Sequence, residues 1–162
     1  MTLRMIRLTH ALHFLVLPLL MGCADKAEDG ALDEEEQALG EALWGEIDGY
    51  EAWTQLDPWV GEQASADGTH GATVQIWLND AAAALITAAA GGDMPDGAAI
   101  VKEGYDDNGE LQAITAMLKE GGGWSWGRFD AEGAVSSAGD SAEASCAGCH
   151  SSGQDSLRAF TW

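Results

Sequence analysis

Residues 98–119 read AAIVKEGYDDNGELQAITAMLK, and the reading of this stretch decides the fold. Ala98 to Tyr105 is a β-rich run. Asp107-Asn108-Gly109 follows, and Asn-Gly between such runs is a strong hairpin signal, because both residues tolerate the positive φ of a tight turn. Leu111 to Lys119 then pairs back, although its composition also suits a helix. Period-2 alternation groups Lys102 with Ala98 and Ile100, and sends Val101, Glu103 and Tyr105 the other way. Both sets are partly apolar, so alternation does not say which face is buried.

The pattern extends on both sides. Val74, Ile76 and Leu78 alternate with Thr73, Gln75 and Trp77 as a strand. Asn79 or Asp80 caps an Ala-rich helix over residues 81–90, which Gly91-Gly92 stops. Pro95-Asp96-Gly97 is a turn, Gly121 to Gly123 a break, and Trp124 to Phe129 a short aromatic strand. Upstream, Asp33 caps a helix through Trp44, with acids in its first turn and a stripe of Leu32, Leu39, Leu43 and Ile47. Residues 131–145 are rich in Ala, Ser and Gly and read as a loop. Asp140 or Ser141 then caps a short helix. Strands in the middle and helices at the ends make an α+β fold, an antiparallel β-sheet with flanking helices. The hairpin signal and 21 glycines argue against four long helices.

That last short helix carries Cys146-Ala147-Gly148-Cys149-His150, the C-x-x-C-H pattern of covalent haem attachment. Two thiols at this spacing each form a thioether to a haem vinyl group, and the adjacent imidazole ligates the iron. Three other readings exist. A redox dithiol lacks its surrounding βαβ pattern. A zinc site would have at most Cys146, Cys149, His150 and His70. A disulfide followed by a chance His is the third. No Met follows the motif, Met117 reads as core and Met94 lies in a turn, so a five-coordinate iron with an open distal face is expected. His70 stands at the start of a loop and reads as solvent-exposed.

Residues 1–22 read as a secretory leader: Arg4 and Arg7, then an apolar run from Ala11 to Leu20 that is too short to span a membrane. Its end, Leu20-Met21-Gly22-Cys23, is of the bacterial lipoprotein type, which makes Cys23 the lipidated residue of an exported chain anchored to a bacterial membrane and facing the periplasm or cell surface. A plain signal peptide cut nearby is the alternative. The cysteine count then assigns one thiol to lipid and two to haem, leaving none for a disulfide. Residues 23–38 form an acidic tether and residues 39–162 the haem domain. All 27 acids lie beyond residue 22, against five Lys and Arg. Nucleic acid is excluded as a partner, because no basic patch faces its phosphates, whereas a basic redox partner is attracted.

In order and spacing, several segments resemble the cytochrome P460 family, which includes cytochrome P460 proper and the sheet-rich cytochromes c′-beta. These are Gly49-Tyr50-Glu51-Ala52-Trp53, residues 70–79, Pro95-Asp96-Gly97 running into Ile100-Val101-Lys102-Glu103, Ala116 to Lys119, Trp124 to Gly127, and Cys146 to His150 followed by Asp155. The resemblance implies an antiparallel sheet, a homodimer, one covalent haem c, and a five-coordinate iron with His150 as proximal ligand. In cytochrome P460 proper a lysine is also bonded to the porphyrin edge, and the matching residue is Lys102. Beside this stands a plain reading of Lys102 as a surface lysine paired with Glu103 or an acid on the next strand. The family enzyme oxidises hydroxylamine with help from a distal glutamate near the segment before the haem motif, for which Glu143 and Asp140 are candidates here and Glu132 another; each also reads as a solvated loop acid. The resemblance therefore implies a haem-dependent oxidoreductase acting on a small nitrogen species. A nitric oxide or gas-binding protein is one alternative. An electron-transfer lipoprotein, with His70 or Met117 on the iron, is another.

Overall fold

The computed structural model describes residues 32–140 and 145–161. Six strands, β1 Gln63–Ala64, β2 Thr73–Leu78, β3 Ala99–Tyr105, β4 Leu111–Glu120, β5 Gly123–Phe129 and β6 Val135–Gly139, stand side by side in chain order. Every neighbouring pair is antiparallel. The expected α+β architecture is the one observed. Residues 98–119 supply the central hairpin, with Gly109 at φ +78° and the Asp106 carboxylate accepting the amides of Asn108 and Glu110. Leu111 to Lys119 is a strand and not a helix, because β4 is held on both edges, by β3 and by β5.

Helix α1 spans Glu34–Glu46 and starts with a complete capping box between Asp33 and Glu36. Helix α2 spans Asp80–Ala88. Its cap is Asn79, whose side-chain Oδ1 accepts from Ala82 N at 3.1 Å and Ala99 N at 3.0 Å, tying the helix start to β3. Helix α3 is described over Ser145–His150, and residues 141–144, which join it to Asp140 and include Ser141, lie outside the described residues. Strand β6 falls where a loop was expected. Its Val-Ser-Ser-Ala-Gly sequence has little strand propensity, so tertiary contacts decide: it pairs with β5 and α1 packs across both. A side chain at Gly40 of α1 would place its Cβ 2.4 Å from Val135, so this contact depends on glycine.

The sheet is buried on both faces, which is why alternation could not choose one. Leu43 of α1 and Ile47, its C-cap, cover one face with Tyr50, Val101, Ile114 and Phe129. The opposite face holds Ile76, Leu78, Ile100, Met117 and Trp126, covered by Ala82 and Ala83 of α2 and by Leu157 and Phe160 of the C-terminal segment. Fully burying one such side chain contributes roughly 1.5–3 kcal/mol. Lys102 shares the second face with Ile100. Glu103 lies on the α1 face, where Tyr50 Oη (2.7 Å), Tyr105 Oη (2.7 Å) and Trp77 Nε1 (3.2 Å) donate to it. Pairing of Lys102 with Glu103 is thereby ruled out: the two side chains point to opposite sides of the sheet.

Among the described residues no helix is long and apolar enough to cross a membrane. The leader and Cys23 lie outside them.

Candidate functional site

On the second face the strands set a transverse row of partners, Ile76, Lys102, Thr115, Arg128 and Ser137, one from each of β2 to β6. This row floors a cavity of about 260 Å³. Its walls include Cys146, Cys149 and His150 of α3, together with Met117, Trp126 and Leu157. The haem-motif residues and Lys102, 44 positions apart at the nearest, thus line one space. His150 stands with its ring centroid 4.9 Å from that of Trp126, at 68°.

The orientation of His150 follows from its second nitrogen. His150 Nδ1 lies 2.9 Å from the carbonyl oxygen of Ser156. A carbonyl only accepts, so Nδ1 carries the hydrogen and Nε2 keeps the lone pair that ligates a metal. Burial lowers the pKa of His150, which keeps the ring neutral, while the Ser156 bond opposes that shift.

Lys102 is enclosed mid-strand, and burial brings its amine down from 10.5 to about 8. The Asp67 carboxylate opposes this shift and Arg158 adds to it. Those two form an ion pair at 3.3 Å, half exposed, and both line the cavity. Of the five basic residues beyond residue 22, Lys102, Arg128 and Arg158 line this one cavity of a strongly acidic chain. The site is therefore complementary to a ligand that carries carboxylates.

His70 is not on the surface, contrary to its reading from sequence. It lines the cavity, its ring centroid is 6.1 Å from that of His150 at 84°, and its Nδ1 is buried with no hydrogen-bond partner. Burial, then the positive Lys102, then His150 and Arg128 lower its pKa to about 3, with Asp67 opposing, so the ring is neutral. Two glycines bring it there. A Cβ on Gly104 would sit 1.6 Å from the His70 carbonyl oxygen. Gly71, at φ +124°, lies against the backbone of Tyr105. The sequence signal was this pair, one glycine beside the histidine and one inside a strand.

The proposed acids fare differently. Glu143 lies outside the described residues. Glu132 is exposed in the turn between Asp130 and Ala134, and neither it nor Asp140 lines the cavity. Asp67 is the one carboxylate among its described lining residues. Met117 lies in the core cluster and at the cavity wall, paired with Ile100 on the neighbouring strand. Among the described residues no three His, Cys, Asp or Glu are grouped to hold a bare metal ion, so the zinc alternative has no assembled site.

Haem fits these residues. Both motif cysteines and an imidazole with its Nε2 lone pair free line one apolar space, Arg128 and Arg158 line it too and could pair with haem carboxylates, and the buried Trp126 Nε1 and His70 Nδ1 lack protein partners. The volume lies slightly below the usual range for ligand pockets. Cys149 is disulfide-bonded in this structure, against the expectation of no disulfide. Thioether and disulfide compete for one sulfur, so attachment requires Cys149 reduced.

A family model described as Cytochrome P460 matches residues 47–161. No curated protein matches the chain. The family match spans most of the sequence, and the chain belongs to the cytochrome P460 family, which makes it a haem-binding cytochrome.

Proposed function

We propose that this cytochrome carries a single haem c, held through Cys146 and Cys149 and ligated by His150, and that it oxidises hydroxylamine or a related small nitrogen species. The observation that supports this most is the placement of Lys102. Its amine shares a cavity with the haem motif and titrates near 8, so about 9% is neutral and nucleophilic at pH 7. A neutral amine lining the haem cavity is the nucleophile a third covalent tether would need, together with a two-electron oxidant, such as a peroxide, to take up the electrons as the N–H and C–H hydrogens leave as protons.

Haem, when bound, supplies an iron that takes up electrons from a nitrogen ligand. This chain supplies the rest. Ile100, Met117 and Trp126 give the cavity apolar walls that exclude water. The His70 ring, neutral and with an unpaired buried nitrogen, offers a hydrogen-bond site inside the pocket. Its depressed pKa makes it a weak base, and the pKa of Asp67 at the rim is lowered too, chiefly by the hydrogen bond from the Thr69 amide, so protons released on oxidation pass to Glu143 or to solvent. Electrons leave to a basic redox partner, drawn by the acidic surface. Lipidation at Cys23 anchors the exported chain to the membrane, and the protein is a homodimer.

A second reading rests on one observation, the 6.1 Å between the His70 and His150 rings, which suits two imidazoles on one iron. That arrangement is six-coordinate and relays electrons. A gas-binding protein without turnover is the third possibility. Steady-state hydroxylamine turnover with an electron acceptor separates them: turnover supports the enzyme. A low-spin spectrum in both redox states selects the relay, and nitric oxide binding without turnover selects gas capture.

A further inference from the structure

Downstream of His150 the chain makes a tight return. Gly153 N donates to His150 O at 2.9 Å, and a Cβ on Gly153 would stand 2.5 Å from the Leu157 backbone, so only glycine lets the loop close. Asp155 and Ser156 then adopt left-handed conformations, with φ of 41° and 64°. Such conformations cost roughly 1–2 kcal/mol per non-glycine residue, so neighbouring contacts must hold them. It is the carbonyl of Ser156, at the end of this return, that accepts from His150 Nδ1.

The contacts that hold it converge on Asp155. Lys119 Nζ reaches both carboxylate oxygens, at 2.8 and 3.0 Å. The amide of Met94 donates to Oδ2 at 2.7 Å, and Trp124 Nε1 donates to the Asp155 carbonyl at 3.0 Å. The Lys119 and Asp155 side chains are only 4% and 10% exposed, and Nζ also lies 5.1 Å from the Trp124 ring centre. Breaking a buried pair by removing one partner strands a charge, which makes it a stiff restraint. None of these four residues lines the cavity, so the network does not contact a ligand there.

We infer that the buried Lys119–Asp155 ion pair is the positioning device for the proximal histidine. It pins the left-handed Asp155-Ser156 step, which aims the Ser156 carbonyl at Nδ1 and so sets both the tautomer of His150 and the electron donation from Nε2 to iron. Lys119 and Asp155 are positioning residues and make no contact with iron. The inference rests on the haem reading of His150.

The test uses the matured holoprotein and three variants: Asp155→Asn, Lys119→Met and Lys119→Arg. The readouts are the iron–histidine stretching band of the ferrous form and the reduction potential. Asp155→Asn and Lys119→Met are expected to move the band to lower frequency and raise the potential, because the imidazole donates less once its Nδ1–H bond is loosened. Lys119→Arg keeps the pair and keeps both readouts near their original values. Unchanged readouts in both disrupting variants overturn the inference. Covalent haem content, read by the pyridine haemochrome of the unmodified protein, reports failure of the haem reading separately. In that event ring nitrogen shifts of His150 decide the matter. A fixed Nδ1–H tautomer that turns mixed in Asp155→Asn upholds the clamp, and a tautomer indifferent to Asp155→Asn removes it.

Discussion

If burial and the surrounding charges set Lys102 as described, its amine titrates near 8 in the folded chain and near 10.5 when unfolded. At pH 7 the neutral fraction then rises from about 0.03% to about 9%, an enrichment of about 300-fold for the 2.5-unit difference. The perturbation is pH itself, applied to a Cys146→Ala/Cys149→Ala chain that cannot attach haem and so keeps the lysine free. Trace acylation across pH 6–11, read peptide by peptide in a mass spectrometer, yields the midpoint for Lys102. The midpoint is expected near 8 in buffer and in the ordinary lysine range in urea. Stability follows with a definite sign. Between pH 8 and 10.5 the unfolded chain binds a proton at this site and the folded chain does not, so stability rises with pH across that window. Relative to Lys102→Met, the chain is therefore less stable below pH 8 by up to about 3 kcal/mol, and the gap closes by pH 10.5. A midpoint near 10.5 in the folded chain, or parallel stability profiles for the two proteins, would refute the reasoning.

Gly104→Ala sets a Cβ against the His70 carbonyl and should cost about 2–4 kcal/mol, seen as a lowered unfolding midpoint. It should also disturb the His70 ring, which nitrogen chemical shifts would report. Glu103→Gln weakens three charge-assisted bonds from Tyr50, Tyr105 and Trp77 and should cost about 1–3 kcal/mol by urea titration. The same change brings the raised pKa of both tyrosines back toward the ordinary value, detectable by absorbance at alkaline pH, since the Glu103 charge contributes to both shifts. His70→Leu leaves a five-coordinate ferrous spectrum unchanged under the enzyme reading, and converts a low-spin spectrum to high-spin under the relay reading.

Much of this architecture was legible in the chain. Thr73 to Leu78, the Asn79 cap and the Asp107-Asn108-Gly109 turn are local signals, and each element formed where its signal stood. Val135 to Gly139 escaped because its strand depends on β5 and α1, not on its own residues. The side on which Lys102 lies was open because both faces of β3 are covered, a property of packing that alternation cannot express. His70 was misread for a related reason: its burial comes from the close backbone approach at Gly71 and Gly104, two contacts remote from any hydropathy pattern. In sequence Lys119 is only the last residue of the run from Leu111. Its pairing with Asp155, 36 residues on, emerges only once β4 and the C-terminal return lie side by side.

The central claim is that the cavity walled by Cys146, Cys149, His150 and Lys102 is a covalent haem site. Digestion of the matured protein followed by mass measurement of the haem-bearing peptide tests it most directly. The account expects one haem on the peptide containing Cys146 to His150, with the peptide containing Lys102 joined to the same haem. Recovery of that motif peptide without haem, its two cysteines free or in a disulfide, would contradict it.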